Sequence, residues 1–196
     1  AFSNAIALDM MIGCSTNTAI HLPAIAHELG IAISLKEFDV ASRTTPNLCH
    51  LSPAGSHHLV DFHQAGGMPA LIHTAIKGGY MDGSAITVAG KSHQCLSEKC
   101  GVKNQQVIRP ITDPYLQEGG LAILYGNVAP QGCIIKTAAC PKEMFVFDGT
   151  ARVFDSEEDT AAALRNGEIQ KGEMIVVRYE GPKGGPGMRE MVHLTG

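Results

Sequence analysis

A chain of 196 residues with 44% hydrophobic and 17% charged side chains is long enough to bury a real core, in one domain or two small ones. Its 15 basic and 19 acidic residues leave a net charge of −4 with no basic cluster, which argues against a nucleic-acid or anionic-membrane partner. The longest apolar stretches are short and broken by Asp, His or Gly, so none is expected to span a bilayer.

The first portion reads as helical. Residues 5–12 form an apolar helix that is already under way where the sequence opens. Ser15 or Thr16 caps a second helix through Ile20, Leu22, Ile25, Ala26 and Leu29, closed by Gly30, with Pro23 marking a kink or a first turn. Ser34 and Glu37 have capping-box spacing and open a short helix that ends before Pro46. Residues 57–65 predict a further helix with Val60 and His63 on one face. Gly66-Gly67 breaks it, and Pro69 then suits the start of a helix over 70–76 that Gly78-Gly79 closes.

From about Ala85 the pattern changes. Residues 85–89 read as a short strand, and 91–106 as a polar connector carrying Cys95 and Cys100. Strand-like runs come next at 107–109, 121–125, 133–137, 144–147, 151–154 and 174–179, separated by Gly, Pro and Asn turns. One helix interrupts them, capped by Asp155 or Ser156, with Glu157, Glu158 and Asp159 in its first turn where acids suit the helix dipole. It runs to about Asn166-Gly167. A boundary is therefore expected between residues 85 and 118, with a helical piece before it and a β-rich piece after it.

The last strand hands over to Gly181-Pro182-Lys183-Gly184-Gly185-Pro186-Gly187, where four glycines and two prolines allow neither helix nor strand to continue. Such a stretch lets backbone approach a small ligand closely. Glu190 just beyond it offers a carboxylate to a hard cation. A mobile surface loop accounts for the same spacing equally well. Ser15-Thr16-Asn17-Thr18 sets hydroxyls and backbone N–H groups at a helix start, which suits an anion or simple capping. Six cysteines at irregular spacing point to free thiols and a reducing cytoplasm. Cys95 and Cys100 have the first interval of a plant-type ferredoxin but lack the Cys-x2-Cys that comes after it. His57, His58 and His63 complete no zinc pattern and read as helix-surface residues. His-Glu-x-x-His, the P-loop, Gly-x-Gly-x-x-Gly and Gly-x-Ser-x-Gly are all absent.

The run Tyr179-Glu180-Gly181-Pro182-Lys183-Gly184-Gly185-Pro186-Gly187-Met188 resembles the signature of the dihydroxy-acid and 6-phosphogluconate dehydratase family, most closely its dihydroxy-acid branch. Gly13-Cys14-Ser15-Thr16-Asn17-Thr18, Ala65-Gly66-Gly67-Met68-Pro69 and residues 119–127 agree with it in the right order, so the resemblance spans essentially the whole chain. Cys14 stands where the family usually has a glycine.

The resemblance implies an α/β architecture: a helical remnant of an N-terminal α/β domain over residues 1–106, then part of a β-barrel-like swivelling domain over 107–196. It implies dehydration of a 2,3-dihydroxy carboxylic acid to a 2-keto acid in valine and isoleucine biosynthesis. A sugar-acid or 6-phosphogluconate dehydratase, or a non-catalytic binding module, are the alternative readings. Glu190 is the expected Mg²⁺ ligand, and Lys183, Gly185, Ser15 and Thr16 are expected near the substrate. No catalytic residue is expected within the chain, because the family's base serine falls beyond Gly196. The ligands of the family's iron–sulfur cluster fall before Ala1. The sequence opens inside a helix and stops just after the signature, so a segment of a longer cytoplasmic homodimer is expected, inactive by itself.

Overall fold

Helix α1 (Phe2–Ile12) runs between two apolar clusters, which is why its hydrophobic residues point in every direction. Met11 and Ile12 join Leu48, Phe62, Leu71 and Ile108 in one cluster. Ile6 and Met10 join Phe38, Leu121 and Ile123 in the other. The Asn4 side chain fixes its first turn by exchanging two 2.9 Å hydrogen bonds with the backbone of Asp82. This computed structural model describes residues 1–13, 15–181, 191 and 194. They fall into two compact units, Ala1–Lys142 and Glu143–Gly196.

In the first unit α1 is followed by α2 (Thr18–Glu28), α3 (Leu35–Thr44), α4 (Leu59–Gln64), α5 (Gly67–Lys77) and the short α6 (His93–Ser97). A two-stranded antiparallel sheet then forms from β1 (Ala122–Leu124) and β2 (Cys133–Ile135), with Ile123 opposite Ile134. The second unit is a βαβ unit: β3 (Thr150–Phe154), α7 (Glu157–Arg165) and β4 (Glu173–Val177), the strands parallel with Arg152 opposite Ile175. The chain is thus of mixed α/β class, and among the described residues no closed barrel forms.

Helix ends obey local chemistry. Both α2 and α7 stop at a glycine in the left-handed region, Gly30 at φ 69° and Gly167 at φ 69°. In each case the next residue's N–H returns to a carbonyl of the last turn, Ile31 to Ala26 and Glu168 to Ala163. Ser34 opens α3 with the expected capping box. The Glu37 carboxylate accepts from the Ser34 hydroxyl at 2.6 Å and the Ser34 N–H at 2.8 Å. Those bonds, the side-chain one foremost, hold Glu37 below its usual 4.5. A depressed folded value means the contribution is present above 4.5 and lost as pH falls through the folded value. The stability gap between wild type and Glu37→Gln is therefore expected to shrink from about pH 6 to about pH 3 in urea unfolding. A gap that stays constant over that range removes this role for Glu37.

Five expectations need correction. Helix α2 starts at Thr18 with Asn17 as its N-cap and no side-chain cap; the Ser15 hydroxyl instead accepts the Asn17 N–H at 3.2 Å within the preceding turn. Residues 85–89 form no strand, because Thr87 closes a tight turn on the Lys91 carbonyl through both N–H and hydroxyl, each at 2.9 Å. The supposed connector holds α6, capped by Ser92, whose hydroxyl accepts the Cys95 N–H at 3.2 Å. Residues 107–109 contribute one isolated bridge, Ile108 to Cys49, and 144–147 contribute none, lying exposed. In the three expected strand runs, 85–89, 107–109 and 144–147, β-branched or aromatic composition found no neighbouring strand to complete a ladder.

Candidate functional site

Segments far apart in sequence converge on the C-terminal end of α1. Gly13 ends the helix in the left-handed conformation, φ 64° and ψ 48°, and returns its N–H to the Asp9 carbonyl. Asn47 is fully buried beside it. Its side-chain amide donates to the carbonyls of Met10 at 3.3 Å and Met11 at 3.2 Å, two of the groups that a helix end leaves without an internal partner. The Leu48 N–H adds a 2.7 Å bond to Met11, and the Gly120 N–H reaches Met10 at 3.1 Å.

The approach is close enough to require glycine on both sides. A Cβ on Gly120 would lie 2.5 Å from the Gly13 Cα, and one on Gly13 would lie 2.8 Å from the Asn47 Nδ2. Beyond Gly120 the Ala138 N–H bonds to the Gly120 carbonyl at 3.0 Å, and the Thr137 hydroxyl to that of Gly119 at 3.1 Å. His50 Nε2 sits 3.2 Å from the Ala138 carbonyl, with its ring 5.4 Å from that of Tyr115. The Gly13 motif and the Gly119-Gly120 motif therefore share one backbone junction, with Asn47 as its polar centre.

Ser15 and Thr16 lead out of this junction, half-buried in a turn whose carbonyls accept from Thr18 and Ala19 at 3.1 and 3.2 Å. The Thr18 hydroxyl donates to the buried Asp9 carboxylate at 3.0 Å, which ties the start of α2 to α1. Asp9 and Asn47 are residues that sequence reading passed over. The signal for Asp9 was a lone carboxylate in an apolar helix; Asn47 gave none, because its partners are tertiary.

In the second unit the run that enters the glycine-rich stretch is fastened to the β3–α7 corner at Arg178 and Glu180. Arg178 extends the ladder, its N–H on the Phe154 carbonyl at 2.8 Å. Its guanidinium Nε reaches Asp155 Oδ1 at 2.7 Å and lies 5.2 Å over the Tyr179 ring. Asp155 foremost raises the Arg178 pKa through that bond. Tyr179 adopts φ 62°, and the buried Glu180 carboxylate accepts the Glu157 N–H at 2.9 Å.

Lys183, Gly185 and Glu190 lie outside the described residues, as does Cys14. Among the described residues no group of three or more His, Cys, Asp or Glu side chains is placed to hold a metal ion. Nor is any helix there long and apolar enough to cross a membrane. Burial pushes the Cys49 thiol up to about 12, which keeps it protonated, while Cys95 and Cys133 lie exposed. At about pH 8 a thiol reagent is expected to label Cys95 and Cys133 in the native chain, and Cys49 only after unfolding. Equal native labelling of Cys49, read by peptide mass, overturns that assignment.

Comparison with known proteins gives the same picture along the whole chain. Residues 1–97 match the family described as Dihydroxy-acid/6-phosphogluconate dehydratase N-terminal, and residues 106–196 match its C-terminal counterpart. A dihydroxy-acid dehydratase of Desulfatibacillum aliphaticivorans is 52% identical over 195 residues, covering 100% of this chain and 35% of the relative. Relatives of the same name in Moorella thermoacetica and Nitratidesulfovibrio vulgaris are 50% and 51% identical over 195 and 197 residues, covering all of this chain and 35% and 36% of theirs. The chain spans about a third of the length of the curated relatives it matches.

Proposed function

Because the chain belongs to the dihydroxy-acid/6-phosphogluconate dehydratase family, we propose that it forms part of a dihydroxy-acid dehydratase. Such a hydro-lyase removes water from a 2,3-dihydroxy carboxylic acid and leaves a 2-keto acid, a step in making valine and isoleucine. The observation that carries this reading is identity of about half across the entire chain to relatives of that one name.

Within it, Glu190 serves as one hard carboxylate ligand of Mg²⁺, an ion that takes few protein carboxylates and fills its remaining positions with water and substrate. Mg²⁺ held there supplies positive charge against the enolate-like charge that develops as the α-proton leaves. Lys183 neutralises the substrate carboxylate, and Gly185 leaves room for substrate against backbone. Ser15 and Thr16 contribute hydroxyl and N–H donors to the substrate from the turn after α1. The donor chemistry of Glu190 supports the Mg²⁺ assignment. The iron–sulfur ligands, like the base, are assigned to other parts of the enzyme.

The division into an N-terminal domain to residue 106 and a C-terminal domain from 107 is supported by the ranges of the two family matches. Two-stranded pairs such as β1–β2 and β3–β4 need further strands or cover to be stable, which supports reading the second domain as part of a larger barrel-like sheet. The enzyme is proposed as a cytoplasmic homodimer, in keeping with unpaired thiols.

A substrate panel on the full-length enzyme tests the reading. Branched 2,3-dihydroxy acids are expected to exceed 6-phosphogluconate and sugar acids in kcat/KM by at least about tenfold. The reverse order moves the protein to the sugar-acid branch, and the absence of keto acid from every substrate leaves a binding role.

A further inference from the structure

We propose that Asp9 is a positioning residue, which fixes the turn carrying Ser15 and Thr16 by holding the first residue of α2. The part this plays in catalysis rests on the functional reading above, in which that turn offers donors to the substrate. The contact itself stands on the geometry of the first unit alone.

Helix α2 opens without a side-chain cap, so the local chain does not by itself settle how its start is held. Thr18, its first residue, is held twice. Its N–H donates to the Ser15 carbonyl at 3.1 Å, and its hydroxyl donates to Asp9 Oδ1 at 3.0 Å. The Ser15 hydroxyl accepts the Asn17 N–H at 3.2 Å, and the Ala19 N–H donates to the Thr16 carbonyl at 3.2 Å. Residues 15–19 are thus one hydrogen-bonded turn, and Asp9 fastens it to α1. Asp9 is only 5% exposed and lies in the last turn of α1, the negative end of the helix. A carboxylate in that place needs donors, and the Thr18 hydroxyl is one. That donor belongs to the next helix, so satisfying the acid and orienting the turn are the same contact.

Loss of the contact leaves the turn with its own hydrogen bonds but without this hold on α1. Ser15 and Thr16 then meet the substrate only after the turn is ordered against α1 again, and that cost falls on binding. An interaction made equally in the ground and transition states shows in KM rather than in kcat. Asp9 acts through Thr18 on the placement of the turn, so its loss is expected to follow that pattern.

The test uses the full-length holoenzyme with a branched 2,3-dihydroxy acid as substrate. Thr18→Val, which keeps the shape and removes the hydroxyl, is expected to raise KM about tenfold with kcat within about threefold of wild type. Asp9→Ala is expected to do the same, and the double variant to be no worse than either single one, because both remove one contact. Thr18→Ser retains the hydroxyl and is expected to hold KM within about threefold of wild type. Should Asp9→Ala not accumulate as folded enzyme, Asp9→Asn takes its place, with a smaller rise in KM that disappears in the Thr18→Val background. Wild-type KM in Thr18→Val overturns the proposal, as does a Thr18→Ser enzyme equally impaired, or effects of the Asp9 and Thr18 variants that add. Wild-type KM in a Ser15→Ala/Thr16→Val double variant sinks the substrate reading of the turn instead. The Asp9 and Thr18 cycle read by urea unfolding then still decides whether their contact holds the turn to α1.

Discussion

Glu190→Gln in the full-length enzyme is expected to lower kcat/KM for a branched dihydroxy acid by about a hundredfold or more and to weaken Mg²⁺ binding in parallel. Glutamine keeps the length and one oxygen but not the negative charge, and Mg²⁺ favours anionic oxygen donors. If Glu190 is a ligand, added Mg²⁺ restores part of the rate, because the lost term is metal binding rather than a proton transfer. A Glu190→Gln enzyme with the wild-type response to Mg²⁺ removes Glu190 from the metal site, and the glycine-rich stretch then has only substrate contact to explain it. The glutamine substitution is preferred to alanine because it changes charge with little change of volume.

Asn47→Ala is expected to destabilise the protein by about 3 kcal/mol, from two lost buried hydrogen bonds and the space left by the side chain. For a chain of this size that corresponds to a fall in Tm of roughly 6–12 °C. The carbonyls of Met10 and Met11 keep their bonds from Gly120 and Leu48, so the loss stops short of leaving them orphaned. Asn47→Asp is expected to be worse, because it turns an acceptor toward two carbonyl oxygens in a buried site. Thermal and urea unfolding of the three proteins decides the matter; an alanine variant within about 0.5 kcal/mol of wild type shows that the junction does not depend on this amide. Since Gly13 and Gly120 both press on Asn47, a loosened junction also predicts weaker ordering of the turn that carries Ser15 and Thr16.

Much of the local structure was legible in the residues themselves. The Ser34 and Glu37 pair announced α3, the Ser156 hydroxyl followed by three acids announced α7, and Gly30 and Gly167 marked helix ends, because capping is settled within a few residues of the chain. The signature run was legible in another sense. Its order of residues identified the family, and the comparisons agree over the full chain.

The strands were harder to read. Residues 85–89, 107–109 and 144–147 have strand composition, yet a strand exists only where a partner backbone lies alongside it, and composition carries no information about the partner. The same limit hid Asn47, whose value lies in carbonyls of α1 brought to it by the fold, and Glu180, which inside the signature run reads as one more acid until α7 is seen beside it. Family membership and the helix ends that carry their own capping residues, as in α3 and α7, were therefore determined by the sequence alone. Tertiary structure decided which strand runs find partners, which glycines must touch, and which polar side chains are buried to hold two segments together, because each of those depends on atoms contributed by a distant part of the chain.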